Sequence, residues 1–255
     1  MISANLSTES PYRGEITIAF HGALTDFFKS ETEPIVVHFQ LHEKTSLKHI
    51  VEALGVPHPE IGKIILNDKE VSLSYHPVRG DYIHLHPWQS KPPTDDDSEP
   101  RFILDNHLGK LTAYLRLLGI DALYSHEYND ERIAQIAAEQ DRIVLTRDRG
   151  LLKRKVIQRG YCVRQDNPLS QLAEIIDHFQ LLPYLQPFRR CPRCNGLLVK
   201  VDKQSILDQL LPLTRIYYND FSRCSNCGQI YWKGSHYDRI KTILHRFTSI
   251  KDEEK

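Results

Sequence analysis

The 255-residue chain has no apolar run approaching the roughly 18 residues that a membrane span requires. Its first residues, Met1-Ile2-Ser3-Ala4-Asn5, lack the basic and apolar pattern of a secretory signal. A cytoplasmic protein without membrane contact is the expectation. A dinucleotide-binding fold would offer a glycine-rich loop after its first strand, but Asp105-Asn106-His107-Leu108-Gly109 follows the apolar run 102–104, and a P-loop is absent too. An aspartyl phosphotransferase would carry a second aspartate two residues after the first; His107 stands there instead. Cysteine is sparse, with five in all, and in a reducing compartment they are not expected to pair as disulfides.

What is present reads as two or three soluble domains, given the length and the ordinary 40% hydrophobic and 26% charged content. A formal net charge of zero hides an uneven division. Residues 1–100 hold 8 Lys+Arg against 15 Asp+Glu, a net of −7, and residues 101–255 hold 25 against 18, a net of +7. The second part is therefore the candidate for a polyanionic partner, and the acidic first part could dock on it.

Residues 101–150 organise the basic part. Phe102-Ile103-Leu104 ends in Asp105; Asn129-Asp130-Glu131 opens a helix-like run to Gln140; Arg142 to Thr146 reads as a buried strand that delivers Arg147-Asp148-Arg149 just past its end. Leu108, Leu111, Leu115 and Leu118 recur at helical spacing, and Gly119 can stop that helix before a strand over 120–124. After Asp148 come a basic helical run, a strand at 161–163 and a helix from about Pro168 to Leu182. This βαβαβ order implies a parallel sheet, in which ligands bind outside the carboxyl ends of the strands. Asp105, Asp130 and Asp148 would stand along that edge.

Crowded carboxylates repel one another unless a hard cation neutralises them, and Mg²⁺ or Mn²⁺ takes such oxygen ligands. A cluster of this kind can activate water and stabilise the leaving oxygen of a phosphodiester. The nearby Arg147, Arg149, Lys153, Arg154, Lys155, Arg159 and Arg164 could contact a polyanionic substrate. Plainer roles exist beside these: Asp130 is placed to be a helix N-cap, Asp148 to cap a turn, and the basic run to be a solvated helix face.

Cys191-Pro192-Arg193-Cys194 and Cys224-Ser225-Asn226-Cys227 form a C-x2-C…C-x2-C set, each pair closely followed by a glycine. Four thiolates on two tight turns suit a closed, tetrahedral, structural zinc site; a redox dithiol is the weaker alternative. The gap between the pairs leaves room for an inserted hairpin or helix at about Lys203 to Leu211. Cys162, in an apolar strand, reads as core. Arg189, Arg190, Arg193, Arg215, Arg223 and Lys233 are interleaved with Phe188, Tyr217, Tyr218, Phe221, Tyr231 and Trp232, which could stack on single-stranded RNA or pack the small core of the ribbon. A C-terminal helix is expected to end near Phe247.

The ordered set Phe102 to Asp105, Leu108 to Leu111, Leu115 to Gly119, Asn129 to Glu131 and Leu145 to Arg149 resembles the Mut-seven C-terminal RNase domain, a PIN-like nuclease fold carrying a zinc ribbon. The resemblance covers about residues 100–240. It implies metal-dependent RNA cleavage, with Asp105, Asp130 and Asp148 at the acidic positions and Asp166 or Glu131 as candidates for a fourth acid. Before it, strands at 16–20, 35–39, 63–66 and 81–85 and a helix over 46–54 capped by Thr45 or Ser46 make a small α+β unit. This part resembles the ubiquitin-like β-grasp domains, through residues 47–55, 64–71 and 80–83. The sulfur carriers among these depend on a free diglycine end; here the chain runs through Pro87-Trp88 without one, so docking to a protein partner is the better reading. His84 and His86 share a strand face and read as a surface pair.

The expected architecture is thus a β-grasp domain over 1–88, a linker over 89–100 stiffened by proline and kept open by its acidic run, a PIN-like domain over 101–185 and a zinc ribbon with a C-terminal helix over 186–255. The expected function is a divalent-metal-dependent ribonuclease. The alternative is an RNA-binding adaptor of the same fold without turnover.

Overall fold

The computed structural model describes residues 10–30, 32–89, 99–232 and 234. Most of the expected linker, Lys233 and the expected C-terminal helix lie outside them. No helix among the described residues is long and apolar enough to cross a membrane. The chain forms two compact units, one of residues 1–89 with 146–162 and one of 90–145 with 163–255.

In the first unit β1 (Gly14–Phe20) pairs antiparallel with β2 (Ile35–Leu41), and α1 (Leu47–Ala53) follows. Ser46, rather than Thr45, caps α1, its side chain accepting from the His49 N–H at 3.3 Å. Next come β3 (Ile61–Leu66) and the short β4 (Lys69–Glu70). Between them Asn67 and Asp68 both take left-handed backbone (φ 49° and 63°), the conformation a two-residue hairpin turn requires. Finally β5 (Tyr82–Pro87) inserts between β1 and β3, so the mixed sheet runs β2-β1-β5-β3-β4 with β1 and β5 parallel. Ile16, Ile18 and Phe20 alternate onto the same core as Leu47, Ile50 and Val51 of α1 and Ile83 and Leu85 of β5. Each such buried side chain contributes about 1.5–3 kcal/mol. A helix packed on a mixed sheet with its outer strands antiparallel is the β-grasp arrangement.

The second unit begins with β6 (Arg101–Leu104), α2 (Gly109–Leu117) and β7 (Asp121–Leu123). Gly119, at φ +92°, ends α2, and any Cβ there would land on the Gln186 carbonyl. α3 (Asp130–Gln140) and β8 (Ile143–Thr146) follow. Both β7 and β8 lie parallel to β6, with Arg101 opposite Asp121 and Leu104 opposite Leu145. Phe102, Ile103 and Leu104 are fully buried, as are Val144 and Leu145. These are strands covered on both faces, and they read as unbroken apolar runs for that reason.

The basic run after Asp148 supplies only one helical turn, α4 (Arg149–Leu152), before β9 (Gly160–Cys162). Both belong with the first unit. Back in the second unit, α5 (Pro168–His178) is shorter than expected: Asn167 caps its start, and Gln180 turns left-handed (φ 49°) just past its end. The ribbon is a three-stranded antiparallel sheet of β10 (Leu198–Val201), β11 (Phe221–Cys224) and β12 (Ile230–Trp232). Its insertion is a 3-10 segment over Lys203–Gln209 and then α6 (Pro212–Tyr217).

Candidate metal and nucleic-acid sites

Asp105 follows β6 directly. Its N–H donates to the Leu145 carbonyl at 3.2 Å, its Oδ1 accepts from the His107 N–H at 2.9 Å, and the residue is only 5% exposed. Asp148 lies two residues beyond β8 and is exposed; its Oδ1 caps α4 by accepting from the Gly150 N–H at 2.7 Å. The capping role read for Asp148 is therefore present. The one read for Asp130 is not, because Asn129 takes it, accepting from the Arg132 N–H at 2.8 Å and leaving Asp130 as the first residue inside α3. There Asp130 and Glu131 face the positive end of the helix backbone. Asp166 and Glu131 are both exposed.

Part of the basic run is engaged within its own unit. The Arg149 guanidinium lies over the Phe27 ring at 4.9 Å, and Lys153 Nζ donates to the Glu52 carbonyl at 2.6 Å. His58, 6% exposed, reaches the Glu52 carboxylate through Nδ1 at 2.7 Å and the Ile157 carbonyl through Nε2 at 2.8 Å. Burial and then Lys48 push its pKa down, against the pull of Glu52. Glu60, also buried, accepts from the Cys162 N–H. Arg147, Arg149 and Arg154 themselves are exposed, and Lys153 is half-buried.

The four ribbon cysteines are the group among the described residues in which three or more such ligand atoms come within 4.8 Å of one another. Cys191 and Cys227 Sγ atoms are 3.7 Å apart, and those of Cys194 and Cys224 are 3.4 Å apart. Sulfurs about 2.3 Å from one tetrahedral cation stand about 3.8 Å from each other, so this donor set fits zinc. Two backbone turns hold the geometry: Asn195 N–H donates to the Cys191 carbonyl and Gly228 N–H to that of Cys224, while the Asn226 and Cys227 N–H groups point at Cys224 Sγ. Gly228 adopts φ +73°, and a Cβ at Gly196 would press on Asn226 and Cys224. Crowding drives the thiols apart in acidity. Burial opposes ionisation of Cys194, yet the Gly196 backbone and its sulfur neighbours bring it to about 6. At Cys227 the Gln229 backbone favours the thiolate, but burial and the other thiols raise it to about 12.

The ribbon aromatics differ in burial. Phe221 is buried in the ribbon core with Ile206, Leu210 and Ile230, and Tyr218 and Trp232 pack against it. Tyr231 bonds Cys191 Sγ through its hydroxyl at 3.1 Å. Tyr217 is 72% exposed. A cavity of about 680 Å³ is lined by Phe188, Tyr218, Tyr231 and Trp232 among others.

One functional arrangement escapes the sequence reading. Asp121, at the amino end of β7, pairs with Arg142 at 2.7 Å and Arg190 at 3.2 Å and accepts from Asn195 Nδ2 at 2.8 Å. Burial alone would raise its pKa, but the bonds to Arg142 and Asn195 pull it below the usual carboxylate range. Arg116, 4% exposed, donates to the carbonyls of Ala122, Pro192 and Arg193. The first cysteine turn is thus tied to α2 and β7 by buried charge. The available signal is a lone aspartate in the apolar run 118–123, at the opposite end of the strands from Asp105.

Comparison with known proteins agrees with these two regions. The model of the Mut7-C RNase domain family matches residues 100–244, and that of the Mut7-C ubiquitin domain matches residues 13–92. A human protein described as "Exonuclease mut-7 homolog" is 32% identical over 101 residues, 37% of this chain and 12% of that protein's length. The chain therefore spans only a small part of that relative. No solved structure matches. With more than half of its length matched, and the parallel sheet and cysteine cluster in the matched region, this chain belongs to the Mut7-C RNase domain family, with a Mut7-C ubiquitin domain preceding that region.

Proposed function

We propose that this chain is a divalent-metal-dependent ribonuclease in which Asp105, Asp130 and Asp148 hold Mg²⁺ or Mn²⁺. The observation that carries the reading is the placement of Asp105, a nearly buried carboxylate directly after β6, at the carboxyl end of the parallel β6–β8 pair. Carboxylate oxygens are the donors these hard cations take. When bound, the cation would neutralise the aspartates, lower the pKa of a water and offset charge on the leaving oxygen. The chain's own part is to fix the carboxylates: backbone N–H groups of His107 and Gly150 orient Asp105 and Asp148, and the start of α3 orients Asp130. Arg147 and Arg154 would meet the RNA backbone, and Arg149 and Lys153 would do so with the donors not turned to Phe27 and Glu52. Zinc at the four cysteines is structural, and the protein would work in the cytoplasm. The β-grasp domain would receive a protein partner.

One observation favours the adaptor reading. Among the described residues no three carboxylates reach ligand spacing, so binding of RNA without turnover is the second proposal. Cleavage of labelled single-stranded RNA by the zinc-loaded chain with Mn²⁺, Mg²⁺ or EDTA decides between them. Metal-dependent cutting that disappears on Asp105→Asn is the expected result; salt-sensitive binding with no cutting under any cation would replace the nuclease with the adaptor.

A further inference from the structure

The connection from α1 to β3 includes a 3-10 turn, His58–Glu60, and residues 56–60 are buried throughout. Connections ordinarily run over the surface, where their polar groups meet water. This one buries two ionisable side chains, His58 and Glu60, that have no part in the nuclease reading. Burial of such groups is costly unless each is paired. Both are spent on the stretch of chain that follows Asp148. His58 Nε2 meets the Ile157 carbonyl at 2.8 Å, and the Glu60 carboxylate accepts from the Cys162 N–H. Two further contacts tie the same stretch nearer its start: the Arg149 guanidinium lies over the Phe27 ring, and Lys153 Nζ donates to the Glu52 carbonyl. Glu52 stands in the last turn of α1, where a cation also meets the negative end of the helix backbone.

We infer that the α1–β3 connection of the β-grasp domain is a built-in clamp on the segment that carries Asp148, with His58 and Glu60 as positioning residues for that carboxylate. The clamp itself follows from the contacts above; its bearing on cleavage rests on the nuclease reading of Asp148. The segment has little structure of its own. α4 is a single turn, and residues 153–159 beyond it form neither helix nor strand. So short a helix is not stable by itself, yet Asp148 sits at its N-cap, bonded to the Gly150 N–H. Anchors at Arg149, Lys153, Ile157 and Cys162 recur every four or five residues and supply the order that local structure does not. Without them Asp148 is free to shift, and misplacement of a reacting group by about 1 Å can cost on the order of a hundredfold in rate.

The test compares Glu60→Met with Glu60→Gln in the full, zinc-loaded chain. Glutamine keeps a side-chain oxygen that can accept from the Cys162 N–H; methionine keeps the bulk and removes the acceptor. The readout is hydrogen exchange at the amides of Lys153, Arg154 and Ile157, which bond within the segment and not to Glu60. In Glu60→Met their exchange should quicken at least about tenfold, the worth of a hydrogen bond to a charged group, while β1 and β5 keep their protection. At a temperature where that variant stays folded, kcat for cleavage of labelled single-stranded RNA with Mn²⁺ should fall by a similar factor. Glu60→Gln should hold both close to the unaltered chain. Should Glu60→Met fail to fold, Phe27→Leu, at a half-buried site, removes the ring beneath Arg149 and should give the same pattern at about threefold, the worth of an exposed cation–π contact. Unchanged exchange at the three amides overturns the clamp. A loss in Glu60→Gln as large as in Glu60→Met overturns the role given to the Cys162 bond, and faster exchange with undiminished kcat overturns the positioning of Asp148. If the unaltered chain cuts no RNA, the nuclease reading has failed, and exchange alone still decides the clamp.

Discussion

The cysteine region draws its four ligands from two turns of four residues each, whereas the aspartates stand on separate elements, after β6, at the start of α3 and after β8. Local backbone geometry therefore builds most of the sulfur site. The turns at Asn195 and Gly228 bring thiols together at 3.4–3.7 Å. No such turn forces the carboxylates together. Instead Asp105 and Asp148 each accept from a nearby backbone N–H. One region gathers its donors around a common centre; the other holds each carboxylate on its own backbone donors.

Breaking the comparison at the sulfur end should give the largest effect. Structural zinc supplies folding free energy on the order of 10–16 kcal/mol in small zinc modules, and here the first cysteine turn is bonded to Arg116. Chelation, or Cys224→Ser, should unfold the ribbon and also loosen α2 and β7. Hydrogen exchange would report it: lost protection at β10–β12 alone, with β7 unchanged, would show that the Arg116 bonds transmit nothing. Next in size is Asp121→Ala, which strands Arg142 and Arg190 near a buried site; removal of one member of a buried pair costs about 3–5 kcal/mol. Denaturant midpoints should fall accordingly while zinc stoichiometry stays at one per ribbon.

Much of this arrangement could be read without coordinates, because its cause is local. A cap at Thr45 or Ser46, the end of α2 at Gly119 and the cysteine spacing each depend on a few adjacent residues. Choices between near neighbours were harder: Asn129 and Asp130 can both cap a helix, and the competition goes to Asn129. The Asp121 pairing joins residues 21 and 69 positions apart, at 142 and 190, and spacing carries no trace of it. The basic run after Asp148 reads as helical with a face that could be solvated, yet it makes one turn and spends Arg149 on Phe27 and Lys153 on Glu52. Its partners are about a hundred residues away in the chain.

At the carboxylate end, two substitutions at one position separate capping from metal binding. Asparagine caps a helix as well as aspartate does, so Asp148→Asn keeps the bond to Gly150 and removes the charge; Asp148→Ala removes both. Cleavage with Mn²⁺ should drop on the order of a hundredfold or more in each. Stability should be unchanged in the first and fall by about 1 kcal/mol in the second. Full activity of Asp148→Asn would take that residue out of the metal set and leave it a cap.

The smallest effect concerns acid, which acts on both regions by different groups. In the ribbon, protons compete with the metal for the thiolates. In the parallel-sheet unit the group to consider is His178, at the end of α5, edge-on to Phe179 at 4.7 Å. Burial, and then Arg164, lower its pKa from 6.5 to about 4. The folded form therefore resists a proton that the unfolded chain accepts, so its stability is full above about 6.5 and declines as pH falls from there toward about 4. The full shift would correspond to more, but partial exposure of the ring reduces the expected loss to on the order of 1–2 kcal/mol. His178→Gln should flatten that part of the pH–stability curve and leave the pH of zinc release where it was. A slope that survives the substitution would assign the acid sensitivity to the cysteine site, and the two regions would then fail together because Arg116 and Asp121 couple them.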